Sequence, residues 1–293
     1  MTLIYVNGEL LADPSAQVSA QDRGFLLGDG LFETLAVYHG HILGLEQHLA
    51  RLQRGAGVLG FDPPSAAELT VALRRTLVAN GLQAQDAMLR LTVSRGVGPR
   101  GLLPPAQPTP TVVISAAPRA AAAPVSQSAI TVPFRWDAAS PLAGLKTLSS
   151  LPHILGRRAA QAAGAGEGIF LNHAGHLVEG CASNLFWVQD GVLCTPSLAC
   201  GPLPGVTRAF VLTLAADLHL PARAGEFTRT DLLQASEAFL TNSLIEIASL
   251  TCCDGQPVGA GEPGPITARL QTAFRELVAM LSCGALSVTM TSQ

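Results

Sequence analysis

At 293 residues, with 48% hydrophobic and 13% charged residues, the chain is long for one domain and has material for a large core, so two domains are expected. A net charge of −3 with scattered arginines excludes the concentrated basic surface that nucleic acid requires. No apolar run suits a membrane span, the best stretch (residues 101–118) carrying five prolines. The opening MTLIYVNGEL lacks a basic segment followed by an apolar one, so a cytoplasmic protein with no membrane partner is expected.

In chain order, Tyr5-Val6-Asn7-Gly8 predicts a strand entering a tight turn, and Phe32–Val37 with Tyr38-His39-Gly40-His41 predicts a hairpin. Leu45, His48, Leu49, Leu52 and Val58 fall near one face of a helix over residues 45–59. Ser65 with Glu68 three residues on is a capping box, opening a second helix that stops near Gly81. Residues 87–93 and 111–116 are apolar, β-branched runs that suit strands. The low-complexity stretch PRAAAAPVS reads as a linker, which divides the chain into a small N-terminal α/β domain (1–118), a linker (119–126) and a larger C-terminal domain (127–293).

Beyond the linker, a strand near residues 130–134 precedes a helix over about 145–164, and strands follow from 168 to 195 with turns at His173-Ala174-Gly175 and Asp190-Gly191. A helix after Pro204-Gly205 runs to about Leu218, strands lie near 237–241 and 247–252, and a helix over 266–281 closes the pattern. The mixture in both halves predicts an α+β or α/β fold. The six cysteines show no Cys-x-x-Cys pair and the histidines no i, i+4 spacing, so reduced thiols and no metal are expected.

Lys146 is the only lysine, against seventeen arginines. An arginine cannot give up its proton in a protein, whereas a lysine amine can be made neutral and nucleophilic, as a Schiff base demands. Glu179, at a strand end, is either a hairpin surface charge or the group that keeps a pyridine nitrogen protonated. In GPLPGVTRAF, Gly205 leads into a helix whose first N–H groups belong to Val206 and Thr207, an anion site or a plain loop-to-helix junction. LTNSLIEI ends a strand on Thr241, Asn242 and Ser243, which form a turn or close the same phosphate. Arg51, on the helix reading LEQHLARL, is either solvated or a phosphate ligand.

The order of these segments resembles the class IV aminotransferase family of fold type IV. RGFLLGDGLFETL is similar to the family's early signature, LKTLSSLPHILGRRAA to its lysine segment, and EGCASNLF and LPGVTR to its cofactor motifs. The resemblance implies a two-domain, D-amino acid aminotransferase-like fold with pyridoxal 5'-phosphate between the domains, in a homodimer acting on a small molecule. It implies that Lys146 forms the Schiff base and moves the proton, and that Glu179 pairs with the pyridine nitrogen. It also implies that Arg51, Val206, Thr207, Thr241 and Asn242 hold the phosphate. GDGLFETL, VSRGVGPRG and LTNSL look more like 4-amino-4-deoxychorismate lyases, which form 4-aminobenzoate and pyruvate. The alternative is an aminotransferase acting on D-amino or branched-chain amino acids. Arg100 would meet a substrate carboxylate, and Arg90 and Arg95 lie on or beside the preceding strand. The sequence departs from the family in PRGLLPP, where no histidine follows Arg100, and in Ser149, where asparagine is usual.

Overall fold

A computed structural model describes residues 2–119 and 126–282. The expected linker falls almost entirely on residues 120–125, outside the described residues, as does Cys283. The chain divides into two compact units: Met1–Ala121 with Lys146–Ser149 and Arg275–Gln293, and Ala122–Leu145 with Ser150–Phe274.

The first unit contains β1 (Leu3–Val6), β2 (Glu9–Ala12), α1 (Arg23–Leu27), β3 (Gly30–Tyr38), β4 (His41–Ile42), α2 (Leu45–Leu59), α3 (Ala66–Ala79), β5 (Ala87–Ser94) and β6 (Thr111–Pro118). Its strands form one antiparallel sheet in the order β2-β1-β6-β5-β3-β4. Asn7 and Gly8, both at positive φ (49° and 105°), make the tight turn between β1 and β2. Along β5 the side chains alternate: Ala87, Leu89, Leu91 and Val93 are buried, while Met88 and Arg90 are exposed. The buried face packs with Leu35 of β3 against Leu49, Leu52 and Ala56 of α2 and Leu69, Leu73 and Leu77 of α3. Each such leucine contributes roughly 1.5–3 kcal/mol of burial.

The capping box of α3 is present, with the Ser65 N–H donating to Glu68 Oε2 at 2.8 Å and the Glu68 N–H to Ser65 Oγ at 3.3 Å. Val58 is 59% exposed, off the face assigned to it, because the buried stripe of α2 runs through Leu49, Leu52, Gly55 and Ala56 instead.

The second unit contains β7 (Gln127–Trp136), α4 (Leu151–Ala162), β8 (Glu167–Asn172), β9 (Leu177–Gly180), β10 (Asn184–Gln189), β11 (Val192–Pro196), α5 (Val206–Asp217), β12 (Ala222–Gly225), α6 (Arg229–Leu233), β13 (Glu237–Asn242), β14 (Glu246–Cys253) and β15 (Gln256–Pro257). The last helix, α7 (Pro265–Ser282), begins in this unit and is divided at Arg275. The strand order is β12-β11-β10-β13-β14-β7-β8-β9, with β15 on β14. The pairs of β7 with β14 and β8, and of β11 with β12, are parallel. Trp187 meets Phe227 edge-on at 4.8 Å, within a core that includes Ile169, Leu185, Leu240 and Leu250. The carboxylate of Glu237 caps α7, accepting the N–H groups of Ile266 and Thr267 at 3.1 and 2.7 Å.

One expectation is overturned here. The helix predicted from residue 145 begins only at Leu151, so Lys146 is not on a helix. Residues Lys146–Leu148 are instead captured by the edge of β3, and Pro152 then sits within the first turn of α4, where its missing N–H costs nothing.

Candidate active site

In the first unit, the Lys146 carbonyl accepts the Phe32 N–H at 3.0 Å, and the Leu148 N–H donates to the Gly30 carbonyl at 2.9 Å. Leu31 and Thr147 face each other across this short antiparallel bridge, so Lys146 shares the face of Phe32. Its Nζ lies 4.4 Å from the Phe32 ring centroid. On the same face Arg90, opposite Thr34 in the register, places its guanidinium carbon 4.0 Å from that centroid. Partial desolvation pushes the Arg90 pKa down, with no carboxylate among the described residues pulling it back. Two basic side chains thus share one ring.

On the opposite face of β3, Glu33 is fully buried with His48 and Arg51 of α2. Arg51 grips it with a fork, Nε to Oε1 at 2.8 Å and Nη2 to Oε2 at 2.5 Å, and His48 Nδ1 donates to Oε2 at 2.6 Å. Burial raises the Glu33 pKa, but the Arg51 fork and His48 outweigh it and bring it down from 4.5 to about 2. Burial depresses His48 below 6.5 against the opposing pull of Glu33, with the Arg51 and Lys146 charges adding to the fall, so the imidazole is neutral.

Both groups bind protons more weakly folded than unfolded, so both stabilise the protein at neutral pH and lose that contribution on acidification. The His48 share falls as pH drops below 6.5. The Glu33 share is intact above 4.5 and disappears as pH falls towards about 2. Urea unfolding across this range is expected to show a Glu33 contribution of about 3 kcal/mol, flattened below pH 4.5 in Glu33→Gln. An unchanged pH profile in that variant contradicts the assignment.

In the second unit, Glu179 is buried near the end of β9, and its Oε2 accepts the Leu203 N–H at 3.0 Å and Asn184 Nδ2 at 3.3 Å. Asn184 also donates to the Leu203 carbonyl at 2.8 Å and sits opposite Thr241 in the pairing of β10 with β13. The carboxylate, the loop entering α5 and the end of β13 are therefore tied together through Asn184. Gly205 caps α5 with no side chain, and Val206 and Thr207 are buried in its first turn. A Cβ at Gly205 would lie 1.9 Å from Asn184 Oδ1, so only glycine permits this close approach. Thr241 Oγ1 is buried with no hydrogen-bond partner. An uncapped helix N-terminus and an orphaned buried hydroxyl on residues joined through Asn184 fit the phosphate of a pyridoxal cofactor.

The Asn242 side chain is committed to its own turn and to the loop between β9 and β10. Its Oδ1 accepts the Leu244 and Ile245 N–H groups at 2.8 and 2.9 Å, and its Nδ2 donates to the Ala182 carbonyl at 2.8 Å. Arg208, the third residue of α5, is buried, with burial lowering its pKa and the Glu179 charge raising it. Arg100 is exposed on the loop after β5. Arg95 is structural: it donates to Asp29 and to the Leu59 and Gly60 carbonyls at the end of α2. The sequence alone assigns no role to Glu33, His48, Phe32, Asn184 or Arg208, although Phe32 and Glu33 lie in RGFLLGDGLFETL, Asn184 in EGCASNLF and Arg208 in LPGVTR.

The second unit holds a buried carboxylate and an uncapped helix end, and the first a lysine on a sheet edge, group types that a pyridoxal-phosphate enzyme employs. Residues 30–252 match the model of amino-transferase class IV, and the chain belongs to that family. It is 35% identical over 282 residues (94% of this chain, 96% of the relative) to a putative branched-chain-amino-acid aminotransferase of Methanocaldococcus jannaschii. It is 32% identical over 276 residues to the D-alanine aminotransferase of Bacillus licheniformis (94% and 96%) and to the aminodeoxychorismate lyase of Bacillus subtilis (94% of each). Among solved structures it resembles the Escherichia coli branched-chain amino acid aminotransferase, with a TM-score of 0.89 and 31% identity over 94% of each chain. It also resembles the 4-amino-4-deoxychorismate lyase of Pseudomonas aeruginosa, with a TM-score of 0.81 and 36% identity over 94% of this chain and 98% of that one. The fold is fold type IV, and the cofactor of the family is pyridoxal 5'-phosphate.

Proposed function

We propose that the chain is a 4-amino-4-deoxychorismate lyase that releases 4-aminobenzoate and pyruvate. The observation that carries this reading is Arg90, a cation with no opposing carboxylate on the face that Lys146 shares with Phe32. The lyase substrate brings two carboxylates, whereas a branched-chain amino acid or D-alanine brings one, beside an aliphatic side chain or a methyl. Arg100 offers a second cation. The 36% identity to the Pseudomonas lyase, against 31% to the Escherichia aminotransferase, adds support.

When bound, pyridoxal 5'-phosphate supplies an aldehyde for the substrate amine and a ring that accepts electrons. Lys146 Nζ would hold that aldehyde and would serve as the base for the proton on the substrate carbon bearing the amine. Glu179 would be the carboxylate partner of the ring nitrogen. The Val206 and Thr207 N–H groups, Thr241 Oγ1, the Asn242 turn and Arg51 hold the phosphate. In this reading the enzyme is a cytoplasmic homodimer supplying folate synthesis.

An aminotransferase acting on D-amino or branched-chain amino acids is the second reading, favoured by the TM-score of 0.89 to the Escherichia enzyme and by the D-alanine aminotransferase relatives. The deciding experiment gives the holoenzyme aminodeoxychorismate generated in situ and, separately, D-alanine or L-leucine with a keto acid. Equimolar 4-aminobenzoate and pyruvate support the lyase. Amino-group exchange without 4-aminobenzoate transfers the conclusion to the aminotransferase.

A further inference from the structure

Arg23 opens α1 and is 4% exposed. Its side chain reaches the loop that follows β5. Nη2 donates to the Leu102 carbonyl at 2.8 Å, and Nη1 to those of Gly101 and Leu103 at 3.1 and 3.3 Å. Its backbone N–H donates to the Gly96 carbonyl at 2.9 Å. Nε is braced on Asp29 Oδ2 at 2.8 Å, the same oxygen that accepts Arg95 Nε at 2.8 Å. Arg95 in turn donates to the Leu59 and Gly60 carbonyls, so the brace ends on α2.

The loop is wrapped round this side chain. A Cβ at Gly98 would lie 2.8 Å from Arg23 Cδ, so the backbone there runs along the arginine stem. Gly96, at φ +85°, closes the base of the loop, where a Cβ would lie 1.8 Å from the Thr109 carbonyl oxygen. Leu102 and Leu103 are 81% and 83% exposed, so apolar burial does not hold this segment. Hydrogen bonds from one buried guanidinium to three successive carbonyls do. The residue just before those carbonyls is Arg100.

We propose that Arg23, braced on Asp29, is the positioning residue of the Arg100 loop, fixing residues 101–103 and thereby where the Arg100 guanidinium meets a substrate carboxylate. The proposal deepens the reading of Arg100 given above and rests on it. A lysine in place of Arg23 keeps the charge but cannot present a planar fork to Asp29 and three carbonyls together.

The test uses the full cofactor-loaded chain as Arg23→Lys, with Gly98→Ala as a second variant that crowds the arginine stem and leaves the charge pair intact. Limited trypsin digestion, read by mass spectrometry, follows cleavage of the Arg100–Gly101 bond. Losing even one charge-assisted hydrogen bond is worth a factor of about ten, so cleavage is expected at least about tenfold faster in both variants. The KM for aminodeoxychorismate should rise about tenfold, with kcat within about twofold and the visible band of the cofactor unmoved. Arg100→Gln should reproduce the KM change. Unchanged cleavage in both loop variants overturns the proposal, as does faster cleavage with an unmoved KM when Arg100→Gln raises it. Faster cleavage with an unmoved KM in Arg100→Gln supports the clamp and overturns the role given to Arg100 instead.

Discussion

On the proposed lyase reading, Lys146→Ala should release 4-aminobenzoate and pyruvate at least about 10⁴-fold more slowly than the parent chain, because that reading makes one amine both the nucleophile and the proton carrier. The substitution leaves the fold alone. The contacts that place residue 146 are made by its backbone, with the carbonyl on the Phe32 N–H, and the side chain is only half-buried. Borohydride treatment of the parent followed by mass mapping should locate the cofactor at position 146, and the variant should carry none there. A small primary amine added to the variant should restore part of the rate. Full activity without the lysine would remove the basis of the assignment.

On the proposed reading, Glu179→Gln should keep the cofactor and lose about 10²–10³-fold in kcat, since shape and hydrogen bonding survive while the charge that reading assigns to the ring nitrogen's partner does not. The amide oxygen can still accept the Leu203 N–H that Oε2 accepts in the parent, so the loop into α5 stays in place. Cofactor affinity is therefore expected to change little, and a shifted visible band is the signature that distinguishes an electrostatic loss from a collapsed site. If affinity falls with kcat, Glu179 is a scaffold for α5 rather than a partner of the ring.

Much of the fold was legible because its signals are local. The Asn7-Gly8 turn, the Ser65–Glu68 capping box and the helix at Val206 are each set by residues within one or two turns of the chain. The unique lysine was legible as chemistry but not as structure. A run of residues compatible with a helix hid the fact that residues 146–148 pair with a strand far back in the sequence. Glu33 was illegible for a related reason. Strand alternation marks it as one face or the other, and only the approach of His48 and Arg51 from α2 makes the inner face hospitable to a carboxylate. Arg23 entered only as one letter of a family signature, because hydrogen bonds to carbonyls some eighty residues away leave no local trace. Among the expected phosphate residues, Asn242 spends its side chain on its own turn and on the Ala182 carbonyl.

The pairing of residues 146–148 with β3 also bears on the order in which the protein assembles. These bonds join Gly30 and Phe32 to a segment that emerges after the whole first sheet and β7, a contact of high sequence separation that pays its loop-closure entropy late. A fragment ending at Ala121 keeps the sheet but leaves the N–H of Phe32 and the carbonyl of Gly30 without their partners, an open edge inviting association with another chain. The same delay protects the chemistry. A reactive amine that reaches its position over the Phe32 ring only when that edge closes is not displayed, oriented and ready, on a half-made chain.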